Sequence, residues 1–255
     1  MVAATAARGV HRVEQIMGMP IVVDARDVDG DGALDPLFDW FRFVDETFST
    51  YKSDSTISRL NRGEFAVGDA PVVVHEVLRR CDELRAETRG FFDVHAASDD
   101  QLDPSGLVKG WSVDRAAALA HDLGWRNYAI NAGGDMRVVG GALPHPEWRV
   151  GIQHPLMRDE VVAVVAGTDL AVATSGGYTR GDHVFDPHTH EPAQGLLSVT
   201  IVGPNLANAD AYATAAFAMG ERAPAWIARL RGYEGLAITS DSRSLRTPGF
   251  PLVAE

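Results

Sequence analysis

The sequence predicts an α+β protein with mixed or antiparallel sheets and inserted helices. Segments of strand character come in clusters, at Val10–Asp24, Tyr128–Val139, Trp148–Thr174 and Tyr233–Phe250. Stretches of helical periodicity are inserted between these clusters, and no regular βαβ period joins them. No internal repeat, low-complexity segment or long linker interrupts the pattern. The chain therefore reads as a tail over residues 1–9 and a single domain over 10–255, long enough to bury a sizeable core.

In chain order, Val10–Asp24 is strand material interrupted at Met17-Gly18-Met19-Pro20. Asp27–Asp35 is a polar turn, and Asp35-Pro36 opens a helix to about Phe48 that buries Leu37, Phe38, Phe41 and Val44. A loop over Ser49–Asp54 leads to a short helix from Ser55/Thr56 to Leu60. Ala70-Pro71 precedes a helix over Val72–Thr88, closed by Arg89-Gly90. Phe91–Ala97 reads as a strand or extended segment, and Lys109–Leu123 as a helix ended by Gly124. Tyr128–Asn131 and Arg137–Val139 are short strands around the turn composition Ala132-Gly133-Gly134-Asp135. Trp148–Gln153, Val161–Ala166 and Leu170–Thr174 read as strands of one meandering sheet. Ser198–Val202 is a further strand, Ala209–Gly220 is strongly helical, and Tyr233–Phe250 alternates like two closing strands.

A hydrophobic content of 45% and a charged content of 23% are ordinary for a globular protein. The net charge of −12 argues against broad electrostatic binding of nucleic acid or anionic membrane. A phosphate-bearing ligand would need local neutralisation by backbone N–H groups, a few basic side chains or a metal ion. Cys81 is the single cysteine, so no internal disulfide or cysteine metal cluster can form, and its helical setting makes it a packing residue. No run of about 18 apolar residues is present, and Met1–Gly9 lacks the regions of a signal peptide. The expected location is the cytoplasm.

Four constellations carry candidate chemistry. Asp27, Asp29, Asp31 and Gly32 match the first half of an EF-hand loop, but its closing acid is replaced by Phe38, so an acidic turn is the better reading. Asp210 and Thr214, four apart in a helix, share a face and offer oxygen ligands for Mg²⁺; equally, Asn208 or Asp210 caps that helix while Thr214 packs. Leu102–Asp114 is a glycine-bearing turn feeding a helix, where free N–H groups and Lys109 suit an anion, without the spacing of a phosphate-loop ATPase. Around Ala173–Tyr178 and Asp182–His190 lie hydroxyls, a carboxylate and histidines. His183, His188 and His190 do not fit common zinc spacings; His183 reads either as a general base or as a half-exposed strand histidine.

The order of these blocks resembles the ApbE family. Met17-Gly18-Met19, Phe48–Asn61 (FSTYKSDSTISRLN), Phe92-Asp93, Asp103–Asp114 (DPSGLVKGWSVD) and Asn131–Asp135 (NAGGD) carry the resemblance. It continues through Trp148–Pro155 (WRVGIQHP), Val172–Gly176 (VATSG), His183–Pro187 (HVFDP) and Ala209–Thr214 (ADAYAT), and spans about residues 10 to 250. The resemblance implies that family's α+β fold and a Mg²⁺-dependent FAD:protein FMN transferase, which cuts FAD, esterifies FMN to a threonine of an acceptor flavoprotein and releases AMP. It implies FAD contacts at Met17, Tyr51, His95, Ala96, Asp103, Lys109 and Phe185. Asp210 and Thr214 match the metal-binding pair, with a backbone carbonyl near Gly106 as a third oxygen, and His183 matches the catalytic histidine. The same residues would also serve an FAD pyrophosphatase that uses water as acceptor, or a flavin-binding protein without chemistry.

Two departures from the family pattern stand out. The family usually reads Asp-Pro-Arg-Thr-Gly after the histidine, whereas this chain reads Asp186-Pro187-His188-Thr189-His190, which puts that turn and any phosphate contact there in question. Many members are exported lipoproteins, and no lipid-attachment cysteine lies near this start, which points to a cytoplasmic acceptor.

Overall fold

Between Ile16 and Met19 the chain reverses in two residues, Met17 (φ 55°) and Gly18 (φ 70°). Two consecutive positive φ values match the right-handed twist of the flanking strands, as two-residue hairpins require. The interruption expected over four residues is thus confined to two, and Met19 and Pro20 belong to the returning strand. The computed structural model describes residues 9–96, 101–177 and 184–253. The hairpin consists of β1 (Val10–Ile16) and β2 (Met19–Ala25), and four helices follow: α1 (Asp35–Phe48), α2 (Thr56–Asn61), α3 (Val72–Glu87) and α4 (Ser105–Asp122). Next come β3 (Tyr128–Ala132), β4 (Asp135–Val139), β5 (Trp148–Gln153), β6 (Val161–Gly167) and β7 (Asp169–Gly176). The chain continues through β8 (Phe185–Asp186), β9 (Glu191–Pro192), β10 (Leu196–Gly203), α5 (Leu206–Met219), α6 (Ala223–Ile227), β11 (Glu234–Thr239) and β12 (Ser244–Arg246).

Among the described residues, eight strands form one sheet in the order β1-β2-β3-β4-β7-β10-β11-β12, and every neighbouring pair is antiparallel. This is the α+β architecture that the clustered strands predict. Period-2 alternation sorts its side chains onto two faces. Ile21, Val23, Ile130, Ala171, Ala173, Val199 and Ile201 pack under the helices. Ala129, Val138, Val172, Val202 and Leu236 face the opposite way and are covered by Trp148, Val150, Ile152 and Val165 of β5 and β6. These two strands pair only with each other among the named strands, so the expected three-strand meander divides: β7 leaves it to sit between β4 and β10.

Each helix follows from local chemistry. Pro36 stands in the first turn of α1, whose apolar face (Leu37, Phe38, Phe41 and Val44) is fully buried; each such side chain contributes about 1.5–3 kcal/mol. Trp40 Nε1 donates to the Ser112 carbonyl at 2.9 Å, tying α1 to α4, and Tyr128 OH donates to the Ala117 carbonyl at 2.8 Å, tying α4 to the sheet. Cys81 is a buried packing residue of α3, and burial pushes its thiol up to about 12.

Three expectations shift. Phe91–Ala97 is not a strand over its described residues: Thr88 Oγ1 accepts the Phe92 N–H, and Asp93 accepts those of His95 and Ala96, closing the segment into turns. Helix α4 begins at Ser105 rather than Lys109, because Asp103 Oδ1 accepts the Ser105 N–H at 3.0 Å. Helix α5 begins at Leu206 rather than Ala209, with Asn205 as its cap. The acidic turn reading holds: Asp27 accepts the Arg126 N–H and Asn127 Nδ2, and Phe38 is buried in the core.

The tightest constraint lies where α4 meets α5. A methyl group on Gly110 would stand 2.4 Å from the Leu206 carbonyl oxygen and 2.9 Å from Asp210 Cβ. Gly110→Ala is therefore expected to lower unfolding stability by about 1–3 kcal/mol, read from the shift in urea midpoint. Gly68→Ala, at an exposed position with nothing within 4 Å, should stay within about 0.5 kcal/mol of wild type.

Candidate active site

The contacts between α4 and α5 repeat at every helical turn, in antiparallel register. Gly106 lies against Thr214, where an added Cβ would meet Oγ1 at 3.6 Å; Gly110 lies against Asp210; and Asp114 reaches the start of α5. The Asp114 carboxylate accepts the Leu206 and Ala207 N–H groups at 3.1 and 2.8 Å, and Asn205 Oδ1 accepts that of Asn208 at 2.9 Å. These bonds satisfy donors that a helix N-terminus leaves open. Capping is thus done by Asn205 and Asp114, and the alternative of Asn208 or Asp210 as cap falls away.

Asp210, free of that duty, is buried at 2% exposure inside the second turn of α5. Its Oδ2 accepts the Gly110 N–H at 2.9 Å, and its Oδ1 faces Lys109 Nζ at 3.2 Å. The same ammonium lies 2.7 Å from Oδ2 of Asp135, the buried first residue of β4. Asp135 Oδ1 accepts the Thr174 N–H at 3.0 Å, while Oδ2 meets Lys109 as an ion pair without an aligned hydrogen bond. Two carboxylates thus share one ammonium, and once both are ionised one negative charge is in excess. Burial pushes Asp210 up to about 7; Lys109 pulls it back, and Asp135 adds to the rise. For Lys109, burial acts downward, but the two carboxylates outweigh it and its pKa is raised.

This cluster faces a cavity of about 810 Å³, within the range of small-molecule sites. Among the sequence-predicted residues, Lys109, Asp210, Thr214 and Gly106 line it from the two helices, Met17, Tyr51, Ala96 and Asp103 from loops and turns, and Phe185 from β8. Tyr51 is 93% exposed, so its ring is free to meet a flat ligand. His95 is not among the lining residues; its Nδ1 lies 3.1 Å from the Gln101 carbonyl. His183 lies outside the described residues. Strand β5 also lines the cavity, through Val150 and Ile152.

The departing turn forms nonetheless. Asp186 Oδ1 accepts the His188 N–H, and its carbonyl accepts those of Thr189 and His190. His190 takes φ 59°, the left-handed conformation a glycine would supply, and His188 stacks on Phe91 with centroids 4.4 Å apart. Among the described residues no group of three or more His, Cys, Asp or Glu side chains is placed to hold a metal.

Asp135 and Asp114 are the site residues that sequence reasoning missed. Asp135 closes a Gly-Gly-Asp turn, where an aspartate ordinarily satisfies local backbone; only β4 pairing, which buries it opposite Lys109, gives it another task.

The raised Asp210 pKa has a defined consequence for stability. An acid whose folded pKa exceeds its unfolded value stabilises the fold below the unfolded value and loses that contribution as pH rises. Wild-type stability should therefore fall between about pH 4 and pH 7 by up to about 1.4 kcal/mol per pH unit relative to Asp210→Asn. Parallel urea titrations of the two proteins across this range check it; parallel pH profiles would remove the assignment.

Comparison with known proteins places this geometry. The ApbE family profile matches residues 17–100 and 94–237. The chain is similar to an FAD:protein FMN transferase of Vibrio cholerae serotype O1, 28% identical with 70% of each chain covered. It is 36% identical to one of Rhodobacter capsulatus over 58% of this chain and 30% of that protein, and 32% identical to one of Escherichia coli K12 over 58% and 45%. The matched region thus spans less than half the length of these two relatives. The fold is that of the flavin transferase ApbE from Vibrio cholerae (TM-score 0.84, 23% identity, 97% of this chain and 100% of that one). It is equally that of the ApbE protein of Thermotoga maritima (TM-score 0.83, 21% identity, 94% and 97%).

Proposed function

The chain belongs to the ApbE family, and on that premise we propose that it is a Mg²⁺-dependent FAD:protein FMN transferase. It would transfer FMN from FAD to a threonine of an acceptor flavoprotein and release AMP. The observation that carries this reading is the convergence of Asp210, Thr214, Gly106 and Lys109 on one wall of a cavity that also presents the exposed Tyr51 ring.

The donor set fits a hard cation. Asp210 and Thr214 offer oxygens one turn apart on α5, and Gly106 of α4 faces Thr214. The donor that a regular helix gives to the Gly106 carbonyl is the Gly110 N–H, and this N–H donates to Asp210. The cluster carries one negative charge more than Lys109 balances, which a divalent cation would offset. Asp210, Thr214 and the Gly106 carbonyl would hold Mg²⁺, which when bound supplies positive charge against the diphosphate oxygens.

The chain's own groups do the remaining work. Tyr51, Met17 and Phe185 would hold the flavin, and Lys109 and Asp103 would orient the polar part of FAD. His183, the residue before the cavity-lining Val184, would take the proton from the acceptor threonine. The threonine oxygen then bonds to the phosphorus on the FMN side, and the bond from that phosphorus to the bridging oxygen breaks. AMP leaves with the bridging oxygen.

Incubation with FAD, Mg²⁺ and an acceptor domain carrying a target threonine should add the mass of FMN to the acceptor and release equal AMP. Asp210→Ala should abolish both, and His183→Ala should slow transfer by about 10²–10⁴ while FAD still binds. AMP formed without a mass gain would identify a pyrophosphatase instead, and FAD binding without AMP a flavin-binding protein.

A further inference from the structure

We infer that Lys109 is a place-holding counter-ion: it occupies the cation side of Asp210 in the metal-free protein and yields that oxygen when a divalent cation binds. This rests on the Mg²⁺ reading of the site and assigns Lys109 a task beyond contact with FAD.

Both Asp210 oxygens are engaged by the chain's own donors, but the two donors differ in kind. Oδ2 is held by the Gly110 N–H, a backbone group in the middle of α4. That backbone cannot retreat cheaply. It packs against α5 where an added Cβ would stand 2.4 Å from the Leu206 carbonyl oxygen, and α4 is fixed to α1 and β3 through Ser112 and Ala117. Oδ1 is held at 3.2 Å by the end of a flexible side chain, which also has a nearer partner in Asp135 at 2.7 Å. An entering cation can therefore displace Lys109 from Oδ1 and cannot displace Gly110 from Oδ2.

Release costs Lys109 little, because Asp135 stays paired with it. Asp135 is fixed in turn by the Thr174 N–H, and its Oδ2 has no competing hydrogen-bond partner. A quarter of the Lys109 side chain is exposed, and Lys109 lines the cavity, so the chain has room to turn. After the exchange one ammonium faces Asp135 and the divalent cation faces Asp210, so the cluster carries one net positive charge to offer an anionic ligand. Without either cation, two buried carboxylates would face one another, which is unfavourable in a site of low dielectric.

The test uses the full chain stripped of metal with a chelator, titrated with Mg²⁺ by calorimetry and melted with and without it. Lys109→Met removes the competitor and should bind Mg²⁺ on the order of tenfold tighter than wild type. It should melt below wild type without metal and recover to wild type at saturating Mg²⁺. A merely structural lysine would leave a deficit that Mg²⁺ does not repair, and that result, or an unchanged or weaker affinity, overturns the inference. Lys109→Arg covers the case in which Lys109→Met does not fold. Its planar fork reaches both carboxylates and should weaken Mg²⁺ binding; equal or tighter binding overturns the inference. Asp210→Asn supplies the zero. Mg²⁺ uptake that wild type shows and Asp210→Asn lacks, with Lys109→Met unchanged, removes the place-holder alone. No uptake by wild type and Lys109→Met removes the metal reading and the inference with it.

Discussion

Much of this protein depends on how closely two helices can approach. With Gly106 and Gly110 on its contact face, α4 brings its backbone within reach of the carbonyls and side chains of α5. The α5 side is rich in alanine and buried nearly all round, so it adds no bulk to hold the helices apart. That approach lets a backbone N–H of one helix reach a carboxylate of the other, and lets Asp114 of α4 satisfy the first donors of α5. Glycines inside a helix usually weaken it. Here they are the condition for the site.

The site is built against the interest of the fold. Asp210 is removed from water, denied a full counter-charge and placed near a second carboxylate. Such an arrangement is tolerated because its neighbours over-determine it: Gly110 cannot move, Asp135 is held by the sheet, and Lys109 spans the two acids. Excess negative charge in a cavity is a stored preference for a cation, and the stability lost through Asp210 ionisation expresses the same imbalance. The acidity of the whole chain plays little part, since what matters is the local count of two carboxylates and one ammonium.

Local chemistry was the part of the structure most legible in the sequence. Pro36 and the apolar spacing of Leu37, Phe38, Phe41 and Val44 depend on neighbours within a few residues, and α1 starts and buries its face as expected. Helices α4 and α5 start earlier than their apolar periodicity indicates, because Asp103 and Asn205 accept N–H groups of the first turns and distant Asp114 accepts two more at the start of α5. Phe91–Ala97 has a strand-like composition, yet over its described residues, 91–96, it forms turns, and among the described residues no strand pairs with it. The division of β5 and β6 from β7 was illegible for a related reason, since sheet partnership is decided by which faces need covering. Asp210 and Thr214 were visible as a helical pair, whereas Asp135 acquires its part only when the sheet brings it opposite Lys109, a relation no spacing records.

The altered turn after Phe185 shows how a fold absorbs the loss of a residue its geometry favours. A left-handed backbone conformation disfavours a side chain by about 1–2 kcal/mol, and His190 carries that cost at φ 59°. The turn is nevertheless held three times by Asp186, through its side chain to His188 and its carbonyl to Thr189 and His190. His188 adds a ring contact to Phe91, itself under the Arg222 guanidinium at 4.6 Å, and fits against Gly90, where any Cβ would stand 2.9 Å from the imidazole. The glycine that ends the turn after α3 thus makes room for the histidine on β8–β9. Because Val184 and Phe185 line the cavity directly before this turn, the stacking of His188 on Phe91 holds one cavity wall in place. A substitution that looks like a lost contact in the sequence becomes, in three dimensions, a different means of holding the same strand.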